Sequence, residues 1–198
     1  MIPMTERNAC VACRGKNLEL VFDLPKLPIT GLYVKKSDPT RTDLQANTSF
    51  LYCYDCGQGQ ISKVVDPQLQ YGDQYWFRTS TSPTAKAGID FFHDYFEKQT
   101  QGRTFQSLVE LGCNDLYLLQ KIRHRAKECV GIDTIWTGKE FVDGNLTVRG
   151  TTDDLGKPDL IISEHTFEHL LDPAETLEHL ITSAADGALF FMEVPSLE

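Results

Sequence analysis

A chain of 198 residues with 41% hydrophobic side chains suits one medium domain, or a small module joined to a domain, and can bury a packed core. A formal net charge of -9 and a pI near 5.0 argue against a protein that grips nucleic acid by its phosphates, which needs a basic face. The N-terminus M-I-P-M-T-E-R-N has no basic segment leading an apolar one, and nowhere do about eighteen apolar residues run together. The reading is a soluble, cytoplasmic protein with no membrane partner.

In that compartment the six cysteines stay reduced, and Asn47-Thr-Ser and Asn145-Leu-Thr carry no sugar. Cys113 and Cys129 lie in or beside apolar strand segments and read as small buried hydrophobes. The other four form Cys10-x2-Cys13 and, after thirty-nine intervening residues, Cys53-x2-Cys56. Each pair points two thiolates at one metal, and together they complete the tetrahedral four-sulfur shell of structural zinc. Such a closed site leaves no position for water, so its role is to hold a small segment that lacks an adequate core. Leu18 to Leu24 is strand-like, and Pro25, Pro28 and Gly31 break the chain before Leu32-Tyr-Val. Ser49 to Tyr52 leads a strand into the second pair and Gln60 to Val65 leads one away, which makes a zinc-ribbon-like β module over residues 1–70.

Residues 71–82 contain Y-G-D-Q-Y-W-F-R-T-S-T-S, rich in aromatics and hydroxyls without a period of 2 or 3.6, and read as a linker. Ser82-Pro83 then starts a helix, with serine as cap and proline at the first position. Ile89, Phe92 and Phe96 repeat on one face of it, while His93 has no second ligand or base paired with it.

The remainder, 83–198, is organised around Ser107 to Gln120. Leu108, Val109 and Leu111 form an apolar run ending at Gly112, and Leu116, Leu118, Leu119 and Ile122 recur at helical spacing, so the stretch predicts strand, tight turn, helix. A turn of this kind brings backbone close to a nucleotide-like ligand above the strand end. Glu128 to Asp133 is a second strand, and its terminal Asp133 falls twenty-one residues after Gly112, the place from which a carboxylate accepts hydrogen bonds from an adenosine ribose. Thr134 follows it. Asn145 to Arg149 is a third strand, and Asp153 in the next loop is placed to meet an adenine edge or to remain a polar surface residue.

Pro158 to Ser163 is a fourth strand leading into Glu164-His-Thr-Phe-Glu-His-Leu, which puts Glu164 and His165 at a site mouth. His165 and His169 would share a face if helical; H-x-x-E-H also occurs in one class of zinc proteases, a poor match here. Asp172-Pro-Ala-Glu175 caps a helix whose buried stripe is Leu177, Leu180 and Ile181, and Gly187 to Pro195 is a fifth, apolar strand.

Several of these motifs resemble the sugar C-methyltransferases that use S-adenosylmethionine (SAM). The order Cys-x2-Cys, D-L-P-x-L-P, Cys-x2-Cys-G-x-x-Q, then Y-x-x-x-Y-x-F-R-T-S-T-S is similar to their N-terminal zinc-binding domain, E-L-G-C-N-D to the first motif of their SAM domain, and H-x-x-E-H-x-x-D-P to a later one. Leu116 departs from the pattern, standing where those enzymes usually carry another glycine. The resemblance implies a class I, Rossmann-like α/β sheet of five strands behind the zinc module. It implies SAM held by Glu110, Gly112, Cys113, Asn114, Asp115, Asp133, Thr134, Asp153 and Glu164, and a small hydroxylated substrate, such as a nucleotide-linked sugar, near Tyr75 and Ser80. The family's Tyr-x-Glu-His base and two further strands have no counterpart before residue 198, which leaves His165, then His169, as candidate bases. On this reading the 198-residue chain is a fragment or a short relative, weakly active, with an open sheet edge that promotes self-association. A zinc-ribbon adaptor built on a degenerate nucleotide fold is the competing reading. An NAD-dependent enzyme is disfavoured because G-x-G-x-x-G is missing.

Overall fold

The computed structural model describes residues 4–29, 45–71 and 75–196. The expected break at Gly31 and the Leu32-Tyr-Val stretch lie outside the described residues, as do residues 72–74 of the linker. The chain divides into two compact units, Met1–Tyr75 with Leu170–Thr176, and Trp76–His169 with Leu177–Glu198.

In the first unit β1 (Met4–Glu6) pairs antiparallel with β5 (Lys63–Val65), and β2 (Leu18–Pro28), β3 (Gln45–Cys53) and β4 (Gly59–Ile61) form an antiparallel sheet in that order. A short helix, α1 (Pro67–Gln70), follows. Pro25 does not end the strand as its residue type suggests. The β2–β3 register shifts between Leu24 and Leu27, Lys26 turns to φ 53°, and its backbone N–H donates to Asn47 Oδ1 at 2.9 Å. The proline thus sits at a bulge, where its missing N–H costs no ladder bond. Ser62 similarly divides the single strand expected over 60–65 into β4 and β5.

The second unit is a six-stranded sheet flanked by helices. Its strands are β6 (Phe105–Leu111), β7 (Ala126–Ile132), β8 (Phe141–Asp143), β9 (Leu146–Arg149), β10 (Leu160–Glu164) and β11 (Leu189–Glu193). The order is β11-β10-β6-β7-β9-β8, all parallel except β8, which forms a hairpin with β9. Each of the five expected strands is present, and β8 is a sixth that sequence reading missed. Its three residues are too few to show a period.

Helix α2 (Pro83–Thr100) starts as its sequence dictates, with Ser82 Oγ accepting from Ala85 N, and buries Ile89, Phe92 and Phe96. Helix α3 is only six residues long (Tyr117–Ile122). Helix α4 (Pro173–Ser183) is capped by Asp172, whose Oδ1 accepts from Glu175 N at 2.8 Å. Its buried stripe is narrower than expected: Leu180 is fully buried, but Ile181 is 57% exposed. The core gathers Phe96, Phe105, Leu108, Leu119, Ile122 and Leu160 with their neighbours between α2, α3 and the sheet.

Chain direction matters for the site. From β6 the sheet grows one way through β7 and β9, then returns to place β10 on β6's other side, so the strand order reverses between β6 and β10. In open parallel sheets the crevice at the carboxyl ends of such a pair receives the ligand.

Candidate functional site

In the N-terminal unit the two cysteine pairs repeat one backbone design. Arg14 N donates to Cys10 O and Gly57 N to Cys53 O, while Cys10 N donates to Gly15 O and Cys53 N to Gln58 O. The fourth residue after each leading cysteine is left-handed, Arg14 at φ 61° and Gly57 at φ 82°. Glycine is the residue that takes this conformation without a Cβ clash, so Arg14 bears a strain that Gly57 avoids. The two turns bring Cys10 Sγ within 3.6 Å of Cys56 Sγ and Cys13 Sγ within 3.7 Å of Cys53 Sγ, and all four sulfurs lie within 4.8 Å of one another. Zinc–sulfur bonds of about 2.3 Å place tetrahedral sulfurs about 3.8 Å apart, so the set fits zinc.

In the sheet unit the turn after β6 is built on Gly112 at φ 84°, where an added Cβ would run into Thr166 Oγ1. Glycine is therefore required twice over, by conformation and by the loop after β10 lying against it. Asn114 is the hub of this turn. Its side chain accepts from Thr79 N at 3.1 Å and Asp115 N at 2.9 Å and donates to Phe77 O, while its backbone N–H donates to Asp133 Oδ2 at 2.9 Å. Trp136 Nε1 donates to the Asn114 carbonyl at 2.8 Å. Asp115 Oδ2 accepts from Ser80 N at 3.0 Å. Asn114 and Asp115 thus spend their side chains on fastening residues 77–80 to the turn, a positioning role that spacing alone did not reveal.

Leu116 keeps a glycine-like backbone, at φ 69°, and is buried. The left-handed turn persists with a leucine in it, at a strain of roughly 1–2 kcal/mol.

Carboxylates crowd the strand ends. Glu110 is 4% exposed, its Oε2 has no hydrogen-bond partner among the described residues, and desolvation, then the charges of Glu164, Asp133 and Asp115, hold its pKa well above the usual carboxylate range. Asp133 is also raised by desolvation, against the pull of the Ile135 and Asn114 N–H groups that its two oxygens accept. Burial, with Glu193 and Glu168 nearby, pushes Glu164 up to about 7 despite His165. Desolvation likewise raises the buried Cys113 thiol, which makes it inert. Thr134 opens a short 3-10 turn capped by Asp133. Asp153 lies on an exposed loop, where its carboxylate takes the Thr151 hydroxyl and its carbonyl takes Arg149.

His165 is not helical: it stands at φ 47° with its N–H on Glu193 O at 2.9 Å, and a 3-10 turn over Phe167–His169 follows. His165 and His169 therefore do not share a helix face. The His165 ring lies between carboxylates, Nδ1 at 3.5 Å from Glu168 and Nε2 at 3.4 Å from Glu193. Ser80 is exposed; Tyr75 belongs to the other unit and packs edge-on against Tyr71. Thr166 and Glu193 are the neighbours of the site that sequence reading did not select. Only strand register brings them in.

The order β11-β10-β6-β7-β9, with the glycine turn and acidic strand ends at its reversal, defines a class I SAM methyltransferase sheet behind a cysteine-cluster module. The chain belongs to the methyltransferase domain family, whose model matches residues 81–198, and the model described as "Putative zinc binding domain" matches residues 10–71. The cofactors of this pairing are SAM and zinc.

Among solved structures, a SAM-dependent methyltransferase from Clostridium acetobutylicum is similar at 13% identity and a TM-score of 0.46, over 55% of this chain and 51% of that one. The N-methyltransferase NodS of Bradyrhizobium japonicum, in complex with S-adenosyl-L-homocysteine, is similar at 12% identity and 0.43, over 52% and 58%. A chain of the Haloferax volcanii complex between the Trm112 methyltransferase activator and a methyltransferase is similar at 20% identity and 0.39, over 53% and 57%. The matches thus span between half and three fifths of those structures. No curated protein matches the sequence.

Among the described residues no helix is long and apolar enough to cross a membrane.

Proposed function

We propose that the chain takes part in SAM-dependent methyl transfer to a small hydroxylated metabolite, with a nucleotide-linked sugar methylated at carbon as the particular acceptor. The observation that carries the SAM part is Glu110, buried with one oxygen unpartnered at the strand-order reversal and ringed by further acids. A site that disfavours its own negative charge favours a cationic ligand, and SAM carries both a sulfonium and an amino group. When bound, SAM supplies the methyl group from that sulfonium.

The protein's part is position and proton transfer. Asp133 uses one lone pair of each oxygen on a backbone N–H and keeps others for ribose hydroxyls. Gly112 lets the loop after β10 close over the turn through Thr166, and Asn114 with Asp115 fixes residues 77–80 beside it. His165 or His169 accepts the acceptor's proton. The nucleotide-sugar assignment rests on the resemblance of the cysteine spacing and the linker motif, with Tyr75 and Ser80 as substrate contacts. A protein partner of the kind named in the Haloferax volcanii complex is a second possibility for the zinc module's role.

Calorimetry with SAM, followed by transfer of labelled methyl from SAM to a panel of nucleotide-linked sugars, tests this reading. Micromolar SAM binding with label in a sugar product is the expected result. Absence of SAM binding would support the adaptor reading, and binding with transfer only to other acceptors would overturn the sugar assignment.

A further inference from the structure

Strand register creates a side-chain cluster at the edge of the sheet that neither the glycine turn nor the ribose-binding acid accounts for. β10 and β11 pair with Glu164 directly beside Glu193, so both carboxylates project from the same face of adjacent parallel strands. His165 enters between them, its Nε2 at 3.4 Å from Glu193 Oε1 and 3.8 Å from Glu164 Oε1. One donor atom from each of Glu164, His165 and Glu193 lies within 4.8 Å of the other two. Like charges side by side repel, and the charged neighbours that bear on Glu164 are two further acids and this one imidazole. Glu110 pairs with Ile162, two residues before Glu164, so it faces the same way from the next strand; it is 4% exposed with Oε2 unpartnered. The face is short of positive charge.

We propose that Glu164, His165 and Glu193 bind a divalent first-row cation, distinct from the zinc of the four cysteines. Two carboxylates and one imidazole suit manganese, iron(II) or zinc, whereas the four thiolates of the other site select a softer ion. Bonds of about 2.1 Å put donor atoms about 3.0 Å apart in octahedral and about 3.4 Å apart in tetrahedral geometry, against 3.4 and 3.8 Å for the two His165–carboxylate separations, so side-chain movements within rotamer freedom close the shell. The remaining coordination positions would face the mouth of the site, where they can take water or an acceptor hydroxyl. Occupation of His165 by the ion would assign the acceptor's proton to His169.

Manganese titration of the full, zinc-loaded chain, followed by electron paramagnetic resonance, tests the site without reference to methyl transfer. The parent chain should hold about one equivalent of manganese at micromolar metal and show the nitrogen modulation of a bound imidazole. Glu164→Gln and Glu193→Gln should each weaken retention by at least about tenfold, and His165→Ala should remove the nitrogen signal. Should Glu164→Gln fail to fold, Glu193→Gln, at a side chain 35% exposed, decides. No retention below millimolar manganese, or retention unchanged by Glu193→Gln, would overturn the proposal. Retention in a chain that does not bind SAM would support it while sinking the methyl-transfer reading.

Discussion

The cysteine module and the sheet domain are held by different means. Among described residues the module's buried cluster is Ile29, Ala46 and Val65 with Met4 against it, and its long strand β2 leaves Leu20, Val21 and Phe22 about half exposed. The sheet domain gathers sixteen buried side chains into one cluster, including Phe96, Leu119 and Ile122 at 0% exposure. At roughly 1.5–3 kcal/mol per large side chain, the second can offset its ordering entropy by apolar burial, whereas the described residues of the first bury too little for that. The module depends on the four-sulfur site instead. The comparison also explains where strain is tolerated: a left-handed arginine is locked by a metal knuckle, a left-handed leucine by a packed core.

The largest expected effect follows from stripping zinc. Structural zinc contributes on the order of 10 kcal/mol, so chelation, or Cys53→Ser, should unfold the module. Hydrogen exchange should then show lost protection in β2 and β3 with protection in β6 and β7 retained. Equal loss in both would mean that the two regions are not separately stabilised.

Asp133→Ala comes next. It removes the acceptor for the Asn114 and Ile135 N–H groups and, on the proposed reading, for ribose hydroxyls, and should weaken SAM binding by about 1.5–3 kcal/mol. Calorimetry on the two proteins checks this, and equal affinities would remove Asp133 from the site.

Glu110→Gln should act in the opposite direction on stability. Its folded pKa lies well above the ordinary value of 4.5, so the carboxyl is protonated in both states at low pH and brings no penalty there. As pH rises past the unfolded value only the unfolded chain ionises freely, and stability falls until the folded pKa is reached. Without ligand, the glutamine variant should therefore melt about 2–5 °C higher at pH 8, with the gap narrowing towards pH 5. A gap that widens on acidification would reverse the sign of this argument.

The smallest effect is expected at Leu116→Gly. Relief of left-handed strain, roughly 1–2 kcal/mol, opposes the loss of a buried leucine side chain, roughly 2–3 kcal/mol before any cavity cost. Denaturant unfolding should show a net loss of at least about 1 kcal/mol, the cavity adding to it. A stabilised variant would mean that strain outweighs packing at this turn.

Much of this molecule is legible in the chain because its signals are local. Paired cysteines two residues apart, an apolar run ending in glycine, Ser82-Pro83 and Asp172-Pro173 each carry their geometry within a few residues, and they predicted the sulfur cluster, five strands and two capped helices. Tertiary structure alone decided the rest. Pro25 could stay in a strand because Asn47, from the partner strand, satisfies the bulge. Ile181 lies exposed although it keeps helical spacing. Leu116 could occupy a glycine conformation because the core around it is closed. Thr166 meets Gly112, and Glu193 meets Glu164 and His165, only when β10 is inserted beside β6 and β11 beside β10. Those contacts depend on strand order and register, which are set by how distant apolar faces pack, and no local pattern encodes them.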